Sequence, residues 1–234
     1  MSSFVVCSKG EGAREAFRRF TVGPWADGRH WFLINKPEDL TISFLREVSP
    51  RYVFFPHWSW LVPEDIWSEY ECVVFHLGDV PDGRGGSPIQ NHIARGLYDT
   101  FLTALRMNGG LDTGPVYGKW PMSLRCGTVD EILSAVMSKI FEEIIPWMLS
   151  SFPVPQPQEG TGEVFPRRTD SDGDISQLSS LEQLHDWIRM LDGEGYPRAF
   201  ADCGPFRLRF SRARQETHQV VSDVFFSIRE DDHE

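Results

Sequence analysis

His76 closes a short apolar run, Cys72 to Phe75, and opens onto a loop from Asp79 to Ser87 that is too rich in glycine to serve packing. A second apolar run ends in an aspartate between glycines, Gly110-Leu111-Asp112-Thr113-Gly114. A histidine can take a proton from an incoming nucleophile near neutral pH or, when charged, stabilise a developing oxyanion. A carboxylate beside it fixes its tautomer and favours the charged form. Two strand ends offering such a pair to one loop-lined space give the sharpest chemical signal in the chain. By residue type alone, a lone histidine such as His76 is more often a satisfied core or surface residue, and Asp112 between glycines reads as a turn carboxylate.

Several other chemistries lack their signatures. No G-x-S-x-G elbow presents a serine nucleophile. His57, His76, His92 and Asp112 fall into no H-x-x-x-H or H-E-x-x-H spacing, so no metal is expected. Cys7, Cys72, Cys126 and Cys203 are scattered without a C-x-x-C pair, which reads as free thiols in a reducing compartment. The turn Lys9-Gly10-Glu11-Gly12 lacks the G-x-G-x-x-G spacing, and Glu11 would repel a phosphate.

The elements that must deliver the pair alternate along the chain. Ser3–Cys7, His30–Ile34, Tyr52–Phe55 and Cys72–Phe75 read as strands, separated by helices over 13–20, 37–48 and 63–70. That alternation predicts an α/β fold with a mostly parallel, twisted sheet and right-handed crossovers. The loop Pro56-His57-Trp58-Ser59-Trp60-Leu61 follows the third strand, at the sheet end where open α/β folds bind ligands. Its aromatics could sandwich a flat heterocycle or lie as a lid over the sheet. Ser87 is placed to cap a helix opening at Pro88, with Gln90, Asn91 and His92 in its first turn. The stretches 98–106 and 116–120 read as further strands. Thr128 with Glu131 forms a capping box for a long helix that Pro146 should kink or shorten.

Pro153, Pro155 and Pro157 mark an extended linker. The expected organisation is therefore a catalytic domain over 1–151, a linker over 152–163 and a C-terminal appendage over 164–234. The appendage reads as a helix over 180–191 and strands at 206–210 and 220–228, with residues 229–234 as a charged, frayed tail. Those strands could build a homodimer. Across 234 residues, 23 Lys and Arg stand against 34 Asp and Glu for a net charge of −11, which argues against a nucleic-acid partner despite the cluster Arg207, Arg209, Arg212 and Arg214. No apolar run reaches the roughly 18 residues of a membrane helix, and the start lacks a signal-peptide pattern. A cytoplasmic protein with no membrane association is expected.

The span Cys72 to Thr128 resembles the N10-formyltetrahydrofolate-dependent formyltransferases. It keeps the family's histidine at His76, then Arg84-Gly85, Pro88-Ile89-Gln90, Thr100, Thr103 and the Asp112 motif, in the family's order and gaps. The stretches Val164–Arg168, Trp187–Leu191 and Tyr196–Phe200 also look like the family, the last two like its methionyl-tRNA and sugar branches. The resemblance implies a Rossmann-like formyltransferase core and N10-formyltetrahydrofolate as formyl donor. It implies His76 and Asp112 as catalytic residues, and a pterin against Phe55, His57, Trp58, Trp60, Leu61, Asn108 and Leu111.

One departure is specific. The family carries an asparagine two residues before its histidine, and here that position is Val74. Three arrangements compete: Gln90 or Asn91 supplies the amide, His76 and backbone N–H groups suffice, or activity is lost. The wording H-x-x-D-x-P-x-G-R-G-G-S-P-x-Q-N resembles a divergent branch that includes pseudaminic-acid-pathway enzymes. That resemblance implies a nucleotide-linked amino sugar as acceptor, with Lys9, Arg84, Arg167, Arg168 and Arg198 as candidates for its diphosphate. The alternatives are a small amine or hydroxylamine, methionyl-tRNA, or a non-catalytic folate-binding relative.

Overall fold

The computed structural model describes residues 2–229. In chain order the elements are β1 (Ser3–Ser8), α1 (Glu11–Thr21), β2 (His30–Ile34), α2 (Ile42–Val48), β3 (Pro50–His57), α3 (Glu64–Glu69), β4 (Cys72–Leu77) and β5 (Arg84–Gly85). There follow α4 (Pro88–Ala94), β6 (Asp99–Arg106), β7 (Val116–Ser123), α5 (Val129–Lys139), α6 (Ile145–Ser151) and β8 (Val164–Phe165). The chain continues with α7 (Leu181–Arg189), β9 (Phe200–Cys203), β10 (Phe206–Gln215) and β11 (Val220–Ile228).

A six-stranded sheet runs β2-β1-β3-β4-β6-β7, and a separate antiparallel sheet runs β11-β10-β9. The first four strands of the large sheet are parallel, whereas β6 is antiparallel to β4. This is an α/β fold of the Rossmann-like kind with a β-rich C-terminal part. Strands covered on both faces need apolar residues at successive positions, and Phe4-Val5-Val6-Cys7 and Val53-Phe54-Phe55 are buried throughout. On one face Val5, Val53 and Phe55 pack with Leu45, Ile66 and Cys72. On the other, Phe4 stacks on Trp31, and Phe20 of α1 meets the same indole edge-on.

The chain forms two compact units, neither contiguous in sequence. The first comprises Met1–Gly85, Thr100–Met122 and Ser134–Val164; the second comprises Gly86–Asp99, Ser123–Leu133 and Phe165–Glu234. The second unit thus takes α4, the loop after β7 and the start of α5, which a linear division at 151 leaves in the catalytic domain. Its core includes a buried polar knot. Arg189 donates to Asp186 Oδ1 at 2.7 Å and to the carbonyls of Leu124 and Gly127, while Tyr98 Oη donates to Asp186 Oδ2 at 2.6 Å.

Two local expectations are corrected. The helix expected from Pro37 begins at Ile42, because Thr41 Oγ1 accepts the Phe44 amide; Pro37–Asp39 is a separate 3-10 turn. Ser87 does not cap α4 with its side chain; its Oγ accepts the Arg168 amide at 3.1 Å. The interruption expected at Pro146 takes a specific form. The helix passes through a π turn, Ile140–Ile144, which accommodates a residue lacking an N–H at the start of α6. The tail expected at 229–234 lies outside the described residues except for Arg229, whose amide donates to the Pro205 carbonyl at 2.9 Å. Among the described residues, no helix is long and apolar enough to cross a membrane.

Candidate active site

β4 carries His76 next to its end; the ring is 6% exposed, and the residue lies opposite Thr103 of β6 in the antiparallel register. The turn after β6 returns the chain with Asp112, whose φ of +52° is a left-handed conformation that Asp tolerates better than most residues. Asn108 organises this turn: its Oδ1 accepts from the Gly110 amide at 3.1 Å and from Thr113 Oγ1 at 3.0 Å. Gly114 has no alternative, since a Cβ there would sit 1.7 Å from the Arg106 carbonyl oxygen.

The two residues meet. His76 Nδ1 lies 3.3 Å from Asp112 Oδ2, and His76 Nε2 lies 2.7 Å from the Gly83 carbonyl oxygen. The Gly85 amide donates to the same Oδ2 at 3.0 Å. Both ring nitrogens therefore face acceptors. A carbonyl oxygen already sits at hydrogen-bond distance from Nε2. Chemically, the arrangement is a donor ring braced by a carboxylate and aimed at a carbonyl.

The loop carrying Gly83 and Gly85 is itself held. Thr103 Oγ1 donates to the Gly78 carbonyl at 2.7 Å, and Lys119 Nζ donates to Asp79 and to the Val80 carbonyl. The segment read as a linker also takes part. Gln156 exchanges backbone hydrogen bonds with Val116, the Gly83 amide donates to the Glu163 carbonyl, and the Glu163 amide donates to Asp82 Oδ1. A Cβ on Gly162 would meet the Pro81 backbone at 2.3 Å, so only glycine permits this approach. Gln158 bonds the carbonyls of Asp112 and Gly114. Residues 152–163 thus form an extended, largely exposed strap that is tied down by hydrogen bonds at Gln156, Gln158 and Glu163. No local pattern announces Gln158, because its partners lie more than forty residues away.

The expected amides are engaged elsewhere. Asn91 Nδ2 donates to the carbonyls of Gly86 and Pro166, both at 2.8 Å, and its Oδ1 accepts from Arg95. Gln90 Nε2 donates to the Met190 carbonyl at 3.0 Å. These bonds join elements within the second unit. Val74 lies between Phe55 and Leu105 in the sheet register, so no amide occupies that position.

The loop after β3 is aromatic in structure as in sequence. Phe55 is buried, and Trp58 packs edge-on between it and Trp60, with the two indoles 4.8 Å apart. Trp58 Nε1 is buried without a hydrogen-bond partner among the described residues. Trp60 is 40% and Leu61 98% exposed. An aromatic face, an unsatisfied donor and an exposed aliphatic side chain fit a flat heterocycle that carries acceptors. His57 at the end of β3 is drawn down to about 4 by burial and, secondarily, by the Lys9 ammonium. It is neutral at pH 7. Leu111, 67% exposed, precedes Asp112.

The candidate cations divide between the units. Lys9 and Arg84 belong to the first, Arg167, Arg168 and Arg198 to the second. Arg84 is engaged by Gln158 Oε1, at 3.0 Å from Nε. Arg168 lies over the Trp187 ring and Arg198 over Phe225. Burial pushes the thiols of Cys7 and Cys72 up, the latter to about 12, which leaves both inert as nucleophiles.

Comparison with known proteins agrees with this geometry. Residues 170–227 match the family profile described as the methionyl-tRNA formyltransferase C-terminal domain. A solved structure, "Methionyl-tRNA formyltransferase from Clostridium thermocellum", is 38% identical, covers 97% of this chain and 100% of its own, and superposes with a TM-score of 0.94. The methionyl-tRNA formyltransferase of Thermodesulfovibrio yellowstonii is 27% identical over 65% of this chain and 51% of its own. This chain spans about half the length of that curated relative. A sugar N-formyltransferase from Shewanella sp FDAARGOS_354 shares the fold at 12% identity and a TM-score of 0.69, over 93% of this chain and 99% of its own. With a relative that is 38% identical and matched over 100% of its own chain, this chain belongs to the N10-formyltetrahydrofolate-dependent formyltransferase family.

Proposed function

We propose that the chain transfers the formyl group of N10-formyltetrahydrofolate to the primary amine of a nucleotide-linked amino sugar. The amine nitrogen bonds to the formyl carbon, the bond from that carbon to N10 breaks, and one amine proton ends on N10 as tetrahydrofolate leaves. The observation that carries the transfer chemistry is the His76 ring held between the Asp112 carboxylate and a carbonyl oxygen. The Gly83 carbonyl shows that Nε2 is placed to donate to a carbonyl oxygen, and in transfer Nε2–H would donate to charge developing on the formyl oxygen. The Asp112 carboxylate, 3.3 Å from Nδ1, fixes the plane of the ring. A positioned donor of this kind acts through electrostatic stabilisation, which is often the largest single contribution to such reactions. Trp58, Trp60, Leu61 and Leu111 would hold the pterin, with the Trp58 N–H meeting an acceptor on it. Bound there, the folate supplies an activated formyl group. His76 and backbone N–H groups take the place of the family's asparagine, since Asn91 and Gln90 are committed to other bonds.

The acceptor assignment is supported by charge. The net charge is −11, and in the C-terminal sheet Arg207 pairs with Asp202, Arg212 with Asp223, and Arg209 with Ser227 Oγ. Arginines paired with carboxylates of their own sheet, as Arg207 and Arg212 are, offer less charge to a long polyanion. The match of residues 170–227 to a methionyl-tRNA formyltransferase domain favours a second reading, with methionyl-tRNA as acceptor.

One experiment separates the two. Nucleotide-linked amino sugars, small amines and hydroxylamines, and methionyl-tRNA are incubated with N10-formyltetrahydrofolate and read by mass for one added formyl group. Formylation of an amino sugar is the expected result; formylation of methionyl-tRNA alone establishes the second reading. Folate binding with no product from any acceptor refutes transfer altogether.

A further inference from the structure

The Gln158 side chain uses its whole hydrogen-bonding capacity at the candidate site. Its Nε2 donates to the Asp112 carbonyl at 2.8 Å and to the Gly114 carbonyl at 2.7 Å. Its Oε1 accepts from Arg84, through Nε at 3.0 Å and also through Nη2. An amide has two N–H donors and two acceptor lone pairs, and here all four are used. We infer that Gln158 is a positioning residue that locks the Asp112 turn to the Arg84–Gly85 segment and so sets where the Asp112 carboxylate meets His76.

The geometry forms a closed circuit. Gln158 grips the backbone on both sides of Thr113, while the Asp112 carboxylate accepts the Gly85 amide and faces His76 Nδ1. Gly85 adjoins Arg84, whose guanidinium returns to Gln158. Asp112 is thus held at its backbone by one contact and at its carboxylate by another. Its left-handed φ of +52° costs the turn some intrinsic stability, which makes an external clamp consequential. Gln158 reaches this place because the strap carrying it is pinned on either side, at Gln156 by Val116 and at Glu163 by Asp82 and Gly83. Arg84, one of the cations suggested for a diphosphate, serves here to orient the clamp. As a role in catalysis, the inference rests on the proposed formyl transfer.

Two substitutions test it. Gln158→Met keeps length and removes every hydrogen bond. Gln158→Glu keeps size and gives Arg84 a charged partner, but sets a carboxylate oxygen against two carbonyls. If the N–H donors position Asp112, both variants lose kcat by roughly 30-fold or more, as misplacement of a reacting group by about 1 Å can do. KM for both substrates stays within a factor of about three of wild type, as expected for an interaction felt in the transition state. A role confined to anchoring the strap through Arg84 would instead leave Gln158→Glu at wild-type kcat, and that result overturns the inference. Amide exchange at Gly85, measured by NMR, is read in parallel and needs no activity: local opening should accelerate it by about 10-fold or more in Gln158→Met. Unchanged Gly85 exchange overturns the inference whatever the kinetics. Should the wild-type chain formylate no acceptor, the proposed transfer fails and Gly85 exchange alone decides whether Gln158 holds Asp112.

Discussion

The backbone amide of Gly85 donates to Asp112 Oδ2 at 3.0 Å, the same oxygen that faces Nδ1 of His76. One carboxylate oxygen thereby ties the glycine-rich loop to His76. Removing the whole side chain would therefore disturb the loop and the surroundings of His76 together.

Asp112→Asn keeps an oxygen for the Gly85 amide and removes the charge opposite His76. Transfer is expected to fall roughly 100- to 1,000-fold, the scale typical of losing a group that stabilises developing charge, while the folate dissociation constant changes less than threefold. Single-turnover rates and folate titration are the measurements, and a wild-type rate in the variant would remove Asp112 from the site.

Asn91→Ala addresses a different quantity. Its amide serves the Gly86 and Pro166 carbonyls and receives Arg95, and buried partners left unpaired cost roughly 1–3 kcal/mol. Urea unfolding should show a stability loss of that order, with kcat of the folded protein within about twofold of wild type. A large fall in kcat at unchanged stability would instead give Asn91 a chemical role.

His57 makes stability depend on pH. Burial and Lys9 hold its folded value at about 4, below the roughly 6.5 expected when unfolded. The unfolded chain therefore binds the additional proton first. This contribution is fully present above about pH 6.5 and is lost as pH falls towards 4, by up to about 3 kcal/mol. Thermal melts from about pH 7 down to about pH 4.5 should show a shallower decline for His57→Phe than for wild type. Parallel slopes would show that the His57 ring is not buried in neutral form.

Trp58→Phe retains the ring and deletes the unsatisfied indole N–H. Without ligand the variant should be at least as stable as wild type, because a buried orphan donor is removed. With ligand, folate affinity should weaken about 5- to 10-fold, the worth of one hydrogen bond. Quenching of the remaining tryptophan fluorescence on folate titration reports it. Equal affinity would place the pterin away from this indole.

Much of the frame is legible in the sequence because its cause is local. The β-branched and aromatic runs of β1, β2 and β4, and the Thr128–Glu131 capping box, carry their reasons in adjacent residues. The His76–Asp112 meeting is also foreseeable, since each residue ends an apolar run or turn and strand ends are brought together by the sheet. What escapes depends on distant partners. Ser87 stands where an N-cap belongs, yet its hydroxyl serves Arg168, eighty-one positions on. Three alternating prolines describe an extended backbone correctly, but extension is as compatible with a strap laid across a surface as with a tether in water. The decisive side chain, Gln158, lies among residues whose composition signals only the tether. The amides of Gln90 and Asn91 mislead for a related reason: their place beside the glycine-rich loop after His76 is visible in sequence, whereas the carbonyls that occupy them are not.

The contact of Gly162 with Pro81 bears on how this chain can be cut or extended. Proline-rich joins are where proteases nick and where engineers graft tags, insert domains or open new termini by circular permutation. Between Gln156 and Glu163 such surgery would leave the sheet intact and release the loop that presents Gly83 and Gly85 to the histidine. Length variation in this segment is therefore confined by the chemistry it overlies, and a harmless splice belongs elsewhere.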